Sequence, residues 1–162
     1  MLASGHWLLS AAPVSAQAKA EWEESGAAWL RPSFLFAAVI VPAGVVHAAV
    51  GLDGPEACRA PLAEALEYGP LFYSPDDFSN EGSYTALVPG RVARLRPIPG
   101  VVMHPQRALL LVPAPGVTAP DDSGPWWVSP LDGPGLLCPP ERVAALVAMG
   151  RGFLAAEEPQ DA

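Results

Sequence analysis

Positive charge is scarce in this chain. Lys19 is the one lysine among 162 residues, and nine basic residues face seventeen acidic ones, which gives a formal net charge of −8. A general affinity for the nucleic-acid backbone depends on lysine and arginine neutralising phosphates, so the composition argues against one and leaves only a local basic patch open. The use of arginine for lysine, beside abundant alanine, glycine and proline, is typical of a GC-rich genome and is not evidence of function.

Cysteine is equally scarce. Cys58 and Cys138 are the two present, too few and too far apart for a zinc ribbon or a disulfide scaffold. We expect both to be buried free thiols, since a reducing cytosol disfavours a bridge. His47 and His104 have no second ligand at metal-binding spacing, so the sequence predicts no metal site and no cofactor.

Long apolar runs are missing too. No run approaches the ~20 residues that cross a bilayer, so we predict no membrane span. Ala16-Gln17-Ala18 resembles a signal-peptidase site, but the residues before it include no lysine or arginine and Pro13 interrupts them, which favours an ordinary N-terminal helix. We therefore expect a cytoplasmic protein.

Apolar residues are abundant, at 51% of the chain, and twenty prolines and fifteen glycines divide the sequence into short segments. That length and hydrophobicity fit one domain with its own core. We place this domain at 1–156, followed by a flexible acidic tail at 157–162.

Periodicity and turn residues predict an order of elements. Helices are expected at 14–30, 43–52, 55–68 and 140–156, and strands at 34–41, 71–74, 83–88, 91–96, 101–103, 107–112 and 124–130. The predicted fold class is α+β, with a single, mostly antiparallel sheet of about five to six strands and helices packed on one face. The apolar strands 34–41 and 107–112 should be neighbours at its centre, under the C-terminal helix.

The arginines form the one anion-binding candidate. Arg94 and Arg96 would project from one strand face because side chains alternate with period two, with Arg91, Arg107 and His104 near them. Guanidinium groups grip phosphates in bidentate fashion. The competing interpretation is a solvated strand face with no ligand.

Trp126 and Trp127 are the candidate partner-binding residues. Neighbouring side chains on a strand face opposite sides, so one of the two could be partly exposed. An exposed tryptophan could stack on bases or anchor a protein partner. The favoured interpretation is that both belong largely to the core or the edge of the fold.

Catalytic motifs are absent from the sequence. The acidic pairs Asp76-Asp77 and Asp121-Asp122 fall in turns, where adjacent carboxylates point apart, whereas two-metal chemistry needs them fixed about 4 Å apart. There is no Gly-x-Ser-x-Gly elbow and no phosphate-binding loop. We assign no catalytic residue and no metal ligand.

Several stretches together resemble small Streptomyces-type proteins related to the N-terminal domain of bifunctional DNA primase/polymerases. The resemblance covers about residues 7–150. It rests on 7–13, 20–23, 36–49, 63–70, 84–89, 111–115 and 126–130, for example Trp126-Trp127-Val128-Ser129-Pro130.

The resemblance implies a sheet-based α+β core. Active members carry an acidic pair on a central strand and a nucleotide-contacting histidine downstream. Here the strand at 34–41 reads Phe-Leu-Phe-Ala-Ala-Val-Ile-Val and contains no acid, while 100–104 echoes the histidine motif without its serine. The expected function is therefore a catalytically degenerate domain with weak nucleotide or single-stranded nucleic-acid binding or a regulatory role. The alternative is an interaction module for a cytoplasmic protein.

Overall fold

Five helices and seven strands make up the described part of the chain. The computed structural model describes residues 3–33, 35–75, 82–91, 101–120, 124–131, 133 and 136–157. The elements follow in the order α1 (Ala3–Leu9), α2 (Ser15–Ser25), β1 (Ala27–Leu30), β2 (Ala37–Pro42), α3 (Ala43–Val50), α4 (Pro55–Ala65), β3 (Leu71–Ser74), β4 (Ser83–Val88), β5 (Val102–Met103), β6 (Leu110–Pro113), β7 (Trp126–Ser129) and α5 (Pro140–Glu157).

The larger sheet has five strands in the order β5-β2-β4-β3-β7, all antiparallel to their neighbours. The hairpin β3–β4 pairs Phe72 with Thr85 and Tyr73 with Tyr84, as the alternating pattern on either side of a polar turn predicts. The predicted α+β class and antiparallel pairing are confirmed. The edge position predicted for 124–130 is also confirmed, because β7 ends the sheet.

Three helices cover one face of this sheet. Val39 and Val41 of β2 and Ala86 of β4 point into a core shared with Leu62 of α4 and Val147 of α5. These apolar side chains recur at strand and helix spacing, so each element buries one face against the next. Helix α5 approaches α3 closely at Gly150, which lies against the backbone of Val45.

The opposite face is covered by a second, two-stranded antiparallel sheet, β1–β6, together with α1 and α2. Leu30 and Val112 fill this second core with Phe72 and Leu87 of the large sheet. The indole N–H of Trp22 donates to the Val112 carbonyl oxygen at 3.1 Å and fastens α2 to β6. The large sheet is thus the middle of three layers.

Three sequence predictions about the arrangement were wrong. The chain forms two sheets with packing on both faces of the larger one, where one sheet covered on one face was expected. Strand 107–112 was expected beside 34–41, but β6 (Leu110–Pro113) pairs only with β1 among the described strands, because both edges of β2 are taken by β4 and β5. The helix predicted over 14–30 ends at Ser25, since Gly26 adopts a left-handed φ of 79° and β1 follows.

Other sequence predictions fall outside the described residues. These are the structure of 92–96 with Arg94 and Arg96, the acidic pairs Asp76-Asp77 and Asp121-Asp122, and the tail beyond Glu157. No helix in the described ranges has both the length and the apolar character that a membrane crossing requires.

Candidate ligand-binding site

The outer face of the two-stranded sheet carries a half-exposed tryptophan. Ala28 and Leu30 point inward and are buried, so Trp29 between them points outward, directly opposite Leu111 in the register. Trp29 is 49% exposed and Leu109, on the same face, is 42% exposed. An indole and a leucine side chain therefore lie open to solvent on a rigid strand pair.

Arginines border this tryptophan. Arg31 follows Trp29 by two residues and shares its face, and its Nε atom donates to the backbone oxygen of Arg107 at 2.7 Å. The side-chain amide of Gln106 donates to the Gly90 oxygen at 3.3 Å, which ties the loop before Arg107 to the end of β4 next to Arg91. We call these three residues, Arg31, Arg91 and Arg107, the arginine cluster. All three are exposed.

The arginine cluster is available to an anion. Within the described ranges, none of its three members is in an ion pair. Arg91 and Arg107 were candidates from sequence, and the fold brings their loops together. Arg31 was missed, because its place beside Trp29 becomes visible only when 27–30 is recognised as a strand instead of the end of a helix.

A cleft of about 310 Å³ opens between the two sheets beneath Trp29. Leu109 to Leu111 form one wall, Ile40, Phe72 and Thr85 of the large sheet form the floor, and His104 and Ser74 also contribute. We call this the central cleft. A volume of this size is at the lower end of the range for small-molecule sites, which is about 300–1,000 Å³.

Two polar groups in the central cleft have defined surroundings. Thr85 is 1% exposed and lines the cleft. The backbone N–H of His104 donates to the Ala38 oxygen at 3.0 Å, and its ring Nε2 lies 3.2 Å from the Ala108 oxygen. Because a carbonyl oxygen only accepts, a neutral His104 ring carries its proton on Nε2 and keeps Nδ1 as an acceptor. His104, a candidate from sequence, lines the cleft.

A second hollow adjoins the central cleft. Trp29 and Leu109 line both, and the neighbour, of about 300 Å³, is also lined by Arg31, Val14 and Glu21. The two spaces therefore differ in charge: the described lining of the central cleft includes no charged side chain, whereas the neighbouring hollow contains a guanidinium group and a carboxylate.

The two predicted partner-binding tryptophans are buried. Trp126 is 1% and Trp127 0% exposed, so both belong to the core, as the favoured interpretation predicted, and neither is open to a base or a protein partner. Trp127 donates its indole N–H to the Ala114 oxygen at 3.0 Å and contacts Phe72 edge-on, with ring centroids 5.4 Å apart. Trp126 packs in the other core beneath Arg59, whose guanidinium carbon lies 5.3 Å from its ring centroid. Edge strand β7 is buried because layers cover both its faces.

A group of titratable side chains, His47, Tyr84 and Cys58, lies on the face of the large sheet that the helices cover, away from the central cleft. His47 Nε2 and the Tyr84 hydroxyl oxygen are 2.8 Å apart, and the Cys58 sulfur is 3.7 Å from the Leu52 oxygen. Burial lowers the pKa of His47, a shift that Asp53 opposes, while burial and then the Asp53 charge raise the pKa of Cys58. Cys58 therefore stays a protonated thiol, unsuited to nucleophilic attack. This cluster stabilises the core.

Metal-binding clusters of three or more histidine, cysteine or acidic side chains do not occur in the described ranges. Comparison of the chain with protein-family models, with curated proteins and with solved structures finds no match.

Proposed function

We propose that this chain is a non-catalytic, primase/polymerase-like binding domain whose ligand is a nucleotide or a single-stranded nucleic acid. One observation carries the proposal: the half-exposed indole of Trp29 lies on the same strand face as Arg31, next to the loop of Arg107. Aromatic side chains stack on bases, and neighbouring arginines bind the phosphates between them.

The expected affinity is low. Stacking on one aromatic ring contributes about 1–3 kcal/mol, and a cluster of three arginines reaches only two or three phosphates. The net charge of −8 repels a polyanion elsewhere on the surface. Binding should therefore be local, weak and sensitive to salt, with a slope of log affinity against log salt of about −2 for two to three phosphate contacts.

Binding without catalysis fits the chemistry of the central strand. Strand β2 (Ala37–Pro42) contains no carboxylate, and Ala37, Ala38 and Val39 are fully buried. Metal-dependent nucleotidyl transfer needs carboxylates held on rigid elements, and β2 supplies none.

The test is fluorescence anisotropy with labelled single-stranded DNA and RNA oligonucleotides at low salt. Arg31→Ala combined with Arg107→Ala should weaken binding at least about tenfold, since two charge-assisted contacts are lost, and Trp29→Ala should weaken it similarly. Arg142→Ala is the matched control: this exposed arginine on α5 pairs with Glu67 and lies on the helix-covered side of the sheet. Oligonucleotide binding unaffected by the arginine and tryptophan substitutions, or no binding at low salt, would refute the proposal.

The alternative function, an interaction module for a cytoplasmic protein, is favoured by a different surface. Helix α5 exposes Met149 at 52% and Phe153 at 50%, one turn apart. Large apolar side chains on an otherwise solvated helix face are typical of partner-binding sites. Met149→Glu with Phe153→Glu should then abolish a stoichiometric complex in pull-down experiments, whereas Trp29→Ala should not.

A further inference from the structure

We infer that the central cleft binds an uncharged, planar heteroaromatic ring, and that the affinity for a nucleotide therefore depends on the identity of its base. The inference deepens the proposed function and rests on it. Stacking on Trp29 with phosphate contacts alone would be indifferent to the base, because every base has an aromatic face. The central cleft adds hydrogen-bonding groups that can distinguish one ring edge from another.

The central cleft and the neighbouring hollow are adjacent. Trp29 and Leu109 line both the central cleft and the neighbouring hollow that contains Arg31. A ring that enters the cleft beside the indole therefore leaves its phosphate on the side of Arg31. The phosphate would then be bound by the Arg31 guanidinium, which lines this hollow together with the Glu21 carboxylate.

The chemistry of the cleft selects a neutral ring with a polar edge. Its described lining is uncharged, so a buried ionic group would lose its hydration without a compensating partner. Thr85 supplies a hydroxyl that both donates and accepts. Ser74 and His104 are further polar residues of the lining. Phe72 and Ile40 supply the apolar floor.

Such a ring could belong to a nucleotide or to a free aromatic small molecule. Both would place an aromatic ring in the cleft, but only a nucleotide carries a phosphate that the arginine cluster can bind. Nucleoside 5′-monophosphates, the corresponding free nucleosides and ribose 5-phosphate are therefore the probes, each titrated while the fluorescence of the exposed Trp29 is followed.

The decisive variant is Thr85→Val, which removes the hydroxyl and keeps the branched shape. Thr118→Val is its matched control, because Thr118 lies in a loop outside the cleft lining. We expect one monophosphate to bind better than the others and at least about tenfold better than ribose 5-phosphate. Thr85→Val should weaken that preferred ligand about 5- to 10-fold, the loss of one buried hydrogen bond, and should reduce the preference among bases. Thr118→Val should change neither.

A second measurement does not depend on a variant folding. Thr85 and Thr118 are the two threonines of the chain, so protein labelled at threonine methyl groups gives two signals. The preferred nucleotide should shift the Thr85 signal and leave the Thr118 signal in place.

The outcomes separate the two proposals. If the arginine substitutions weaken binding but Thr85→Val and the Thr85 methyl signal are unaffected, the phosphate-binding surface stands and the base-reading cleft is overturned. If free nucleosides bind as well as monophosphates and only Thr85→Val weakens them, the cleft is supported and the proposed nucleotide function fails. If no probe binds the wild-type protein, both proposals fail.

Discussion

Gly150 of α5 lies directly against the backbone of Val45 in α3. A methyl group in place of its hydrogen would overlap the Val45 carbonyl oxygen, whereas a methyl group on Gly152, two residues further along, would meet no atom within 4 Å. Both glycines look like helix-weakening residues in the sequence, but they have opposite roles. Gly150 permits the close helix contact that covers the large sheet, and Gly152 is a solvent-exposed position.

Gly150→Ala should therefore destabilise the protein by about 1–3 kcal/mol, because the clash is with backbone and α5 must move away from α3. Gly152→Ala is the matched control and should raise the free energy of unfolding by about 0.5–1 kcal/mol through helix propensity. Urea unfolding followed by circular dichroism measures both. Equal effects of the two substitutions would contradict the packing of α5 on α3.

Gly26 should also resist substitution. Its φ of 79° ends α2, and the strand β1 that carries Trp29 begins at the next residue. Gly26→Ala should cost about 1–2 kcal/mol, the strain of a side chain in the left-handed region. Gly44→Ala is the control, since Gly44 lies in α3 with free space around it, and it should be neutral or stabilising. Equal unfolding midpoints for the two variants would contradict the α2–β1 boundary.

Acid should weaken the fold through His47. Burial lowers the pKa of this imidazole in the folded protein, so below its unfolded value of about 6.5 the unfolded chain takes up the proton more readily and stability falls. The contribution is fully present above pH 6.5 and is lost as the pH drops towards the folded pKa. His47→Gln removes this titration, so between pH 7.5 and 5.5 the wild type should lose more unfolding free energy than the variant. An identical pH dependence of stability in the wild type and in His47→Gln would contradict this role of His47.

The two thiols should be protected in the native state. Cys58 and Cys138 are free and fully buried, and burial raises the pKa of Cys138 to about 12. A thiol-specific chromogenic reagent should therefore label neither cysteine in native buffer and both in denaturant. Fast labelling of either thiol at neutral pH would show that its core opens readily.

Part of the candidate site was predictable. Arg91, Arg107 and His104 could be singled out because guanidinium and imidazole groups are rare in this chain and carry recognisable chemistry. Trp29, Arg31 and Thr85 could not, and each for a physical reason. Trp29 lies on a strand whose four residues are too few to show a period, and Arg31 directly follows that strand. Thr85 is a β-branched residue that looks like any other strand position until the fold places it in the lining of a cleft.

The amino-acid order alone determined several local elements, but not the end of α2 or strand β1. Alternation on either side of a polar turn specified the β3–β4 hairpin, Pro42 closed β2, and the apolar spacing of 140–156 specified α5, since each signal acts over a few neighbouring residues. Only the tertiary structure decided which apolar faces meet. Pairing β1 with β6 joins residues eighty or more positions apart, a choice made by the complementary shapes of two cores and not by periodicity. That choice buried Trp126 and Trp127, left Trp29 exposed, and opened the central cleft between the sheets.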